Sequence, residues 1–374
     1  MKYYIIAGEA SGDLHSSNLM KALIEKDKEA DFRFWGGDKM QSLGGVLVKH
    51  YRDLAFMGFT EVLMNLKTIT GNIKFCKEDI LAYKPDAIIL VDYPGFNLRI
   101  AEFAHKIGLK VFYYISPQVW AWKKSRIHTI KKVVDRMFVI LPFEKKFYET
   151  YGYDVNFVGH PLLDVIPEIN KPEKNDDFYS RNGLNNKPII AVIPGSRKQE
   201  ISKILPLMLS VYNKYKNDYQ WIVSGVTSVD KNLYRQILGN SVIKVLYGQT
   251  YDLFKHAHIA AITSGTASLE AALFGVPQVI CYKGGAISFA IAKRIVDVKY
   301  IGLPNLIMDK PVVKELIQND LNMNSLISEF DRLLTDDSER QRIKDDYKEL
   351  RKLLGGSGAS LRTAEEIVMY LSKS

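Results

Sequence analysis

"IIAVIPGSRKQEI" occupies residues 189–201, and its reading decides the fold. An apolar run ends at Pro194-Gly195. Beyond it, Ile201, Ile204, Leu205, Met208, Val211 and Tyr215 recur at helical spacing. Strand, glycine turn and amphipathic helix form the first half of a βαβ unit. Unbroken apolarity, rather than alternation, predicts a strand covered on both faces. Downstream, "YQWIVSG", "IKVLYG", "IAAITSG" and "PQVICY" continue the pattern. Upstream, "KYYIIAG", "DAIILVDYPG", "KVFYYISP", "RMFVILPF" and "VNFVG" alternate with amphipathic stretches such as Leu14–Lys26 and Leu98–Ile107. The chain is therefore expected to be α/β, with parallel sheets covered by helices.

Two such patterns flank residues 164–188, "DVIPEINKPEKNDDFYSRNGLNNKP", a polar stretch rich in proline and asparagine. This predicts a first domain over 1–164, a linker over 165–188 and a second domain over 189–354. "LGGSGAS" (354–360) interrupts the end of the chain. Residues 355–374 read as a terminal helix packing back toward the first domain, with Leu361, Ala364, Ile367, Val368 and Leu371 at helical spacing. A length of 374 residues accommodates two cores.

Composition excludes several classes. Cys76 and Cys281 are the only cysteines, far apart in sequence, which points to a reducing compartment without a disulfide framework. The apolar start is too short for a secretory signal, and no stretch approaches the roughly 20 apolar residues that span a bilayer. A cytoplasmic protein is expected. The net charge of +9 suits nucleic acid, an anionic membrane surface or phosphorylated substrates, and equally plain solubility. There is no G-x-x-x-x-G-K-[ST] loop and no G-x-G-x-x-G fingerprint. No D-x-D offers a carboxylate pair to a divalent metal, and His256 and His258 lack a ligand set around them.

Five constellations could carry chemistry. Gly195, Ser196 and Arg197 lie at a helix start, where free N–H groups and the dipole favour an anion and an arginine adds a phosphate contact. The alternative is an ordinary turn with a surface arginine. Ser264, Gly265, Thr266, Ala267 and Ser268 open a second helix, with Glu270 a turn further in, placed to accept hydrogen bonds from ribose hydroxyls. The alternative there is a capping Ser or Thr and a dipole-favoured Glu. Together the two starts favour a diphosphonucleoside ligand. Asp92 ends a strand at the edge where open parallel sheets bind ligands, which makes it a candidate general base. Capping of the turn or the next helix is the alternative for Asp92 and for Asn97. Lastly, Trp120 and Trp122 precede Lys123, Lys124, Arg126, Lys131 and Lys132, and Phe56, Met57, Phe59, Val62, Leu63 and Leu66 form an apolar run. Each reads as a lipid- or phosphate-facing surface, or as packing and a solvated face.

Taken in order, "AGEASGD" (7–13), "DYPGFN" (92–97), "SPQVWAW" (116–122), "LPFE" (141–144), "VGHPLLD" (158–164), "PGSR" (194–197), "SGTASLEAAL" (264–273) and "GLPNLI" (302–307) resemble the lipid-A-disaccharide synthase family. The resemblance spans roughly residues 3–320. It implies a GT-B fold, with two Rossmann-like domains facing across a cleft. It implies inverting, metal-independent transfer from UDP-2,3-diacylglucosamine to 2,3-diacylglucosamine 1-phosphate, with no cofactor. UDP would bind Ser196, Arg197, Ser264, Gly265, Thr266, Ala267, Ser268 and Glu270. Asp92 is the first candidate base and Glu9 the second. Ser11, Gly12, Asn97 and Asn305 would lie on the sugar side. The first glycine turn carries Glu9 and Asp13, which would repel a pyrophosphate, so the nucleotide belongs to the second domain. Work at the cytoplasmic face of an anionic inner membrane would be peripheral; a homodimer is left open. The sequence departs from the family pattern at Lys314, where proline is expected, which bears on any ligand role for Gln318. It departs again at Lys123, where arginine is usual. Beside this stand another UDP-sugar transferase or epimerase of the same fold, and a non-catalytic nucleotide- or RNA-binding protein. Steep salt dependence of RNA binding would mark the last.

Overall fold

A computed structural model describes residues 1–54, 66–121, 124–166, 177–285, 289 and 298–373. The chain forms two compact units, Met1–Val165 with Leu354–Ser374, and Ile166–Leu353.

The first unit is built on β1 (Lys2–Ala7), β2 (Asp31–Gly36), β3 (Val46–His50), β4 (Ala87–Val91), β5 (Lys110–Tyr114), β6 (Arg136–Val139) and β7 (Asn156–Phe157). They pair in the order β3-β2-β1-β4-β5-β6-β7, every pair parallel. Side chains alternate between faces along each strand, and both faces are covered. Tyr4, Ile6, Ile88, Leu90 and Tyr113 face the core shared with helices Leu66–Tyr83, Pro94–Lys106 and Arg126–Val133. Tyr3, Ile5, Ala7, Ile89, Phe112 and Phe138 face the opposite core, under helices Ala10–Lys26 and Ala359–Ser372. That double burial is why these strands lack polar alternation.

The C-terminal helix is tied into this unit by several polar contacts. Asp164 accepts hydrogen bonds from the backbone amides of Gly358 (2.6 Å), Ala359 (3.2 Å) and Ser360 (2.9 Å), capping it from a distant segment. Arg362 Nε donates to the Val158 carbonyl, and Tyr370 OH to Asp135. Ala364 and Ile367 are buried, but Leu361, expected on the apolar face, is exposed. The helix rotates Ala359, Ser360 and Thr363 inward instead.

The second unit pairs β8 (Ile189–Ile193), β9 (Gln220–Gly225), β10 (Lys244–Tyr247), β11 (Ala257–Thr263), β12 (Gln278–Tyr282) and β13 (Glu315–Ile317) in the order β10-β9-β8-β11-β12-β13, again all parallel. Part of the stretch expected as linker is folded here. Helix Phe178–Arg181 buries Phe178, whose ring stacks on His256 at 4.4 Å. Residues 167–176 of that stretch lie outside the described residues.

Strands β2, β3 and β13 were not among the expected ones. β2 carries Asp31 and Arg33, β3 is a half-exposed edge ending in Lys49-His50, and β13 has three residues. Helix Pro94–Lys106 starts four residues before the expected Leu98, because Pro94 occupies a first-turn position that needs no N–H.

Candidate active site

In an open parallel sheet, ligands bind beyond the carboxyl ends of the strands where strand order reverses. The first sheet reverses between β1 and β4, which pair with Ala7 beside Val91. Glu9 follows the first and Asp92 the second. Both carboxylates therefore stand at the switch point. Helix Ala10–Lys26 starts just past Glu9, with Ser11 exposed and Gly12 buried against Ala7. Gly8 is needed for close approach: a Cβ there would lie 2.4 Å from the Tyr93 ring.

Burial, reinforced by the charge of Glu9, pushes the Asp92 carboxyl up to about 6. Its backbone is unusual as well. Asp92 (φ 45°) and Tyr93 (φ 49°) are consecutive non-glycine residues in the left-handed region. Such conformations cost about 1–3 kcal/mol each and persist only where their surroundings enforce them. Neither Asp92 nor Asn97 caps the next helix, whose N-cap is Tyr93 without a side-chain cap; the other half of the alternative, capping of the turn, agrees with the hydrogen bond the Asp92 carboxyl takes from the Tyr93 backbone. Asn97, expected on the sugar side, is fully buried. Its amide donates to the Asp92 carbonyl at 2.7 Å and also faces the Val91 carbonyl. Asp13 is likewise spent inside the fold, accepting from the amides of Gly37, Lys39 and Met40 at the start of helix Asp38–Gln41.

"SPQVWAW" and "LPFE" meet in one buried network. Trp120 Nε1 donates to Glu144 (3.2 Å), which also accepts from the amides of Ile140 and Leu141. Burial raises the Glu144 carboxyl to about 7. Trp120 thus packs rather than lining an open surface. Trp122, Lys123 and the run Phe56, Met57, Phe59, Val62 and Leu63 lie outside the described residues, as does the Leu66 side chain.

The second sheet reverses between β8 and β11, which pair with Ile193 beside Ile262. Gly195–Arg197 follow β8 and Ser264–Ala267 follow β11. Both anion-ready starts therefore share one switch point. Gly195 (φ 110°) leaves room for the Glu200 carboxylate, 2.5 Å from where a Cβ would stand. That carboxylate turns back on the loop, accepting from the Ser196 amide (3.3 Å) and pairing with Arg197 (3.0 Å). Glu200 thereby covers donors that an incoming phosphate would use, a residue the sequence reading did not single out. Helix Thr266–Leu273 has Gly265 as N-cap and no side-chain cap, so Ser264 and Thr266 do not take the capping role. Ser264 Oγ donates to the Ile301 carbonyl, while Gly265 and Thr266 are exposed. Glu270, half-buried, accepts from Tyr251 OH (3.0 Å), and burial holds its carboxyl above the usual range. Asn305, expected on the sugar side, is buried and braces "GLPNLI" through Val313 and Glu315. Gln318 is left-handed (φ 56°); its backbone amide donates to the Tyr282 carbonyl and its carbonyl accepts from Lys283 Nζ.

A cavity of about 300 Å³, lined among others by Lys187, Tyr212, Trp221 and Lys244, lies at the opposite, N-terminal ends of β8–β10. It is remote from the motif residues. Among the described residues, no cluster of three or more His, Cys, Asp or Glu side chains is arranged to hold a metal ion.

A family model described as "Lipid-A-disaccharide synthetase" matches residues 3–368. The chain belongs to the lipid-A-disaccharide synthase family. Lipid-A-disaccharide synthase of Syntrophus aciditrophicus is 38% identical, covering 99% of this chain and 98% of the relative. That of Persephonella marina is 35% identical over 98% of each. The family makes this chain a glycosyltransferase of lipid A biosynthesis. Solved structures show the same fold at low identity. A Staphylococcus aureus MnaA–UDP co-structure superposes with a TM-score of 0.70 at 14% identity, covering 99% of this chain and 97% of the other. CalG4, the calicheamicin glycosyltransferase, gives 0.61 at 15%, covering 100% and 98%. The fold is GT-B, a pair of Rossmann-like units.

Proposed function

We propose that this lipid-A-disaccharide synthase family member transfers 2,3-diacylglucosamine from UDP to the 6-hydroxyl of 2,3-diacylglucosamine 1-phosphate, with inversion. The products are the β-1,6-linked disaccharide 1-phosphate and UDP. The first unit serves the acceptor and the second the UDP-sugar. Asp92 takes the proton of the acceptor hydroxyl as the new O6–C1 bond forms, with burial first and the Glu9 charge second holding its carboxyl near the working range. The bond from C1 to the UDP phosphate breaks in the same step, and the electron pair leaves on the diphosphate. Arg197, the Ser196 amide and the Gly265–Ala267 helix start meet that developing charge. Glu270 and Tyr251 face the ribose.

The observation that carries this reading is the pairing of chemistry with topology. Each sheet presents its motif residues at its own switch point: carboxylates in the first unit, anion-binding helix starts in the second. A carboxyl held near 6 is suited to accept a proton at neutral pH.

Both substrates are acylated, and no helix among the described residues is long and apolar enough to cross a membrane. With a net charge of +9, we place the protein peripherally at the cytoplasmic face of an anionic inner membrane. The deciding assay mixes purified protein, UDP-2,3-diacylglucosamine and 2,3-diacylglucosamine 1-phosphate with EDTA present. Disaccharide and UDP should appear in equal amounts. UDP release that ignores the acceptor, or absence of disaccharide, overturns the reading. Sedimentation with vesicles containing anionic lipid should carry the protein down at low salt and release it as salt rises.

A further inference from the structure

Asp92 and Tyr93 share the peptide whose carbonyl carries an unusual load. The Asp92 carbonyl accepts from Tyr113 OH at 2.6 Å and from Asn97 Nδ2 at 2.7 Å. Both donors are fully buried. Tyr113 comes from β5, the neighbour of β4, and Asn97 from the first turn of helix Pro94–Lys106. They reach the same oxygen from two different elements. A third contact fixes the other side of the residue, where the Asp92 amide donates to the Tyr114 carbonyl at 3.2 Å.

Rotation of the 92–93 peptide changes ψ of Asp92 and φ of Tyr93 together. It is therefore the route by which Tyr93 (φ 49°) would leave the left-handed region beside Asp92 (φ 45°) and the turn would lose its shape. Two buried donors on the carbonyl block that route. Tyr113 cannot leave as a phenolate, because burial and the nearby Asp92 charge hold its hydroxyl protonated far above the usual tyrosine range. The Tyr93 ring is itself held, packed against Gly8 and stacked on Phe96 at 5.7 Å.

We propose that Asn97 and Tyr113 are positioning residues that clamp the Asp92–Tyr93 peptide and so aim the Asp92 carboxylate at the acceptor hydroxyl. This rests on Asp92 being the proton acceptor. It also reassigns Asn97 from sugar contact to support of the base. The groups that face this carboxylate are Glu9 from the β1 end, Tyr93 in the same turn and Tyr113 from β5, the last also under the field of Arg126.

The test uses the full chain in the disaccharide assay above, with Asn97→Ala, Tyr113→Phe, the double variant and Asp92→Asn. Tyr113→Phe deletes one hydroxyl and keeps the ring, which guards against a fold-wide effect. For each single variant kcat should fall about ten- to a hundredfold, the loss expected when a catalytic group drifts by about 1 Å. KM for both substrates should stay within about twofold. The acid limb of the kcat profile should move below pH 6, as the loosened carboxyl gains solvent. The double variant should resemble the worse single one, because the two donors act on one oxygen. Adding Asn97→Ala to Asp92→Asn should cost nothing further. Wild-type kcat and an unmoved acid limb in Asn97→Ala and Tyr113→Phe, with Asp92→Asn inactive, overturn the clamp alone. Full turnover by Asp92→Asn overturns the base and the clamp with it. Loss of rate accompanied by an unmoved acid limb and a lowered melting temperature marks a purely structural role and also overturns the proposal.

Discussion

At the scale of single residues, Asp92 joins an activity prediction to a stability prediction of opposite sign. Its carboxyl lies at about 6 in the fold, against an ordinary 3.8. The fold therefore favours the neutral form. That contribution is complete below pH 3.8 and is lost as pH rises through 6, leaving a cost of up to about 3 kcal/mol for the ionised form at pH 8. Asn tolerates the left-handed backbone well. Asp92→Asn is thus expected to lower kcat by about a hundredfold or more while raising denaturant stability at pH 8 and leaving it nearly unchanged at pH 4. Unfolding curves at the two pH values, beside the assay, check both halves. In the second unit, Arg197→Ala is expected to weaken UDP binding by about 1.5–3 kcal/mol, the usual worth of a hydrogen bond to a charged group. Calorimetric titration of UDP reads this directly. The placing of the candidate residues at strand ends was legible because strand-end carboxylates and glycine turns are local in sequence. Glu200 was legible in principle, since it lies three residues past Arg197 in a first helical turn. Tyr113 was not: nothing around it in sequence announces that its hydroxyl ends on the Asp92 carbonyl, in the turn just past the neighbouring strand.

Elements show where local patterns stop informing. β8 and β1 were readable from sequence because burial on both faces leaves an unbroken apolar run. β3 and β13 escaped because they are edge strands, one half-exposed and the other three residues long, and β2, though interior, escaped because Asp31 and Arg33 break its apolar run. The start of helix Ala359–Ser372 gives another example, since its cap, Asp164, lies almost two hundred residues earlier. Asp164→Ala frees three amides at once, and a loss of about 1–3 kcal/mol is expected in chemical unfolding of the first unit. Beneath that helix lie His15 and His160, whose imidazoles burial holds down at about 4 and 3. Asp164 faces His15 and partly offsets the effect there, while the His15 imidazole further disfavours protonation of His160. These histidines are neutral in the fold, so their stabilisation is complete above pH 6.5 and drains away as pH falls from 6.5 toward 4. His15→Gln should flatten that acid decline; an unchanged slope would remove His15 as its source.

For the whole molecule, the sequence pattern conveyed the two alternating α/β runs and a terminal helix over 355–374 returning to the first domain, but not the polar contacts from Asp164, Val158 and Asp135 that tie that helix down. The first unit is discontinuous, made from Met1–Val165 and Leu354–Ser374, with the second unit's residues between them. Removing residues 354–374 strips Ala364, Ile367 and Tyr370 from a face that contains Phe112 and Phe138. Limited proteolysis of such a truncation should cut the first unit rapidly and spare the second; equal resistance of both would show that the helix is dispensable for the first core. The same discontinuity has a consequence during synthesis. A ribosome adding about 5–20 residues per second completes the second unit before it delivers the helix that closes the first. For the tens of seconds in which that stretch is translated, the nascent chain carries an uncovered aromatic sheet face, and its safe passage depends on whatever shields it from other chains until the final helix emerges.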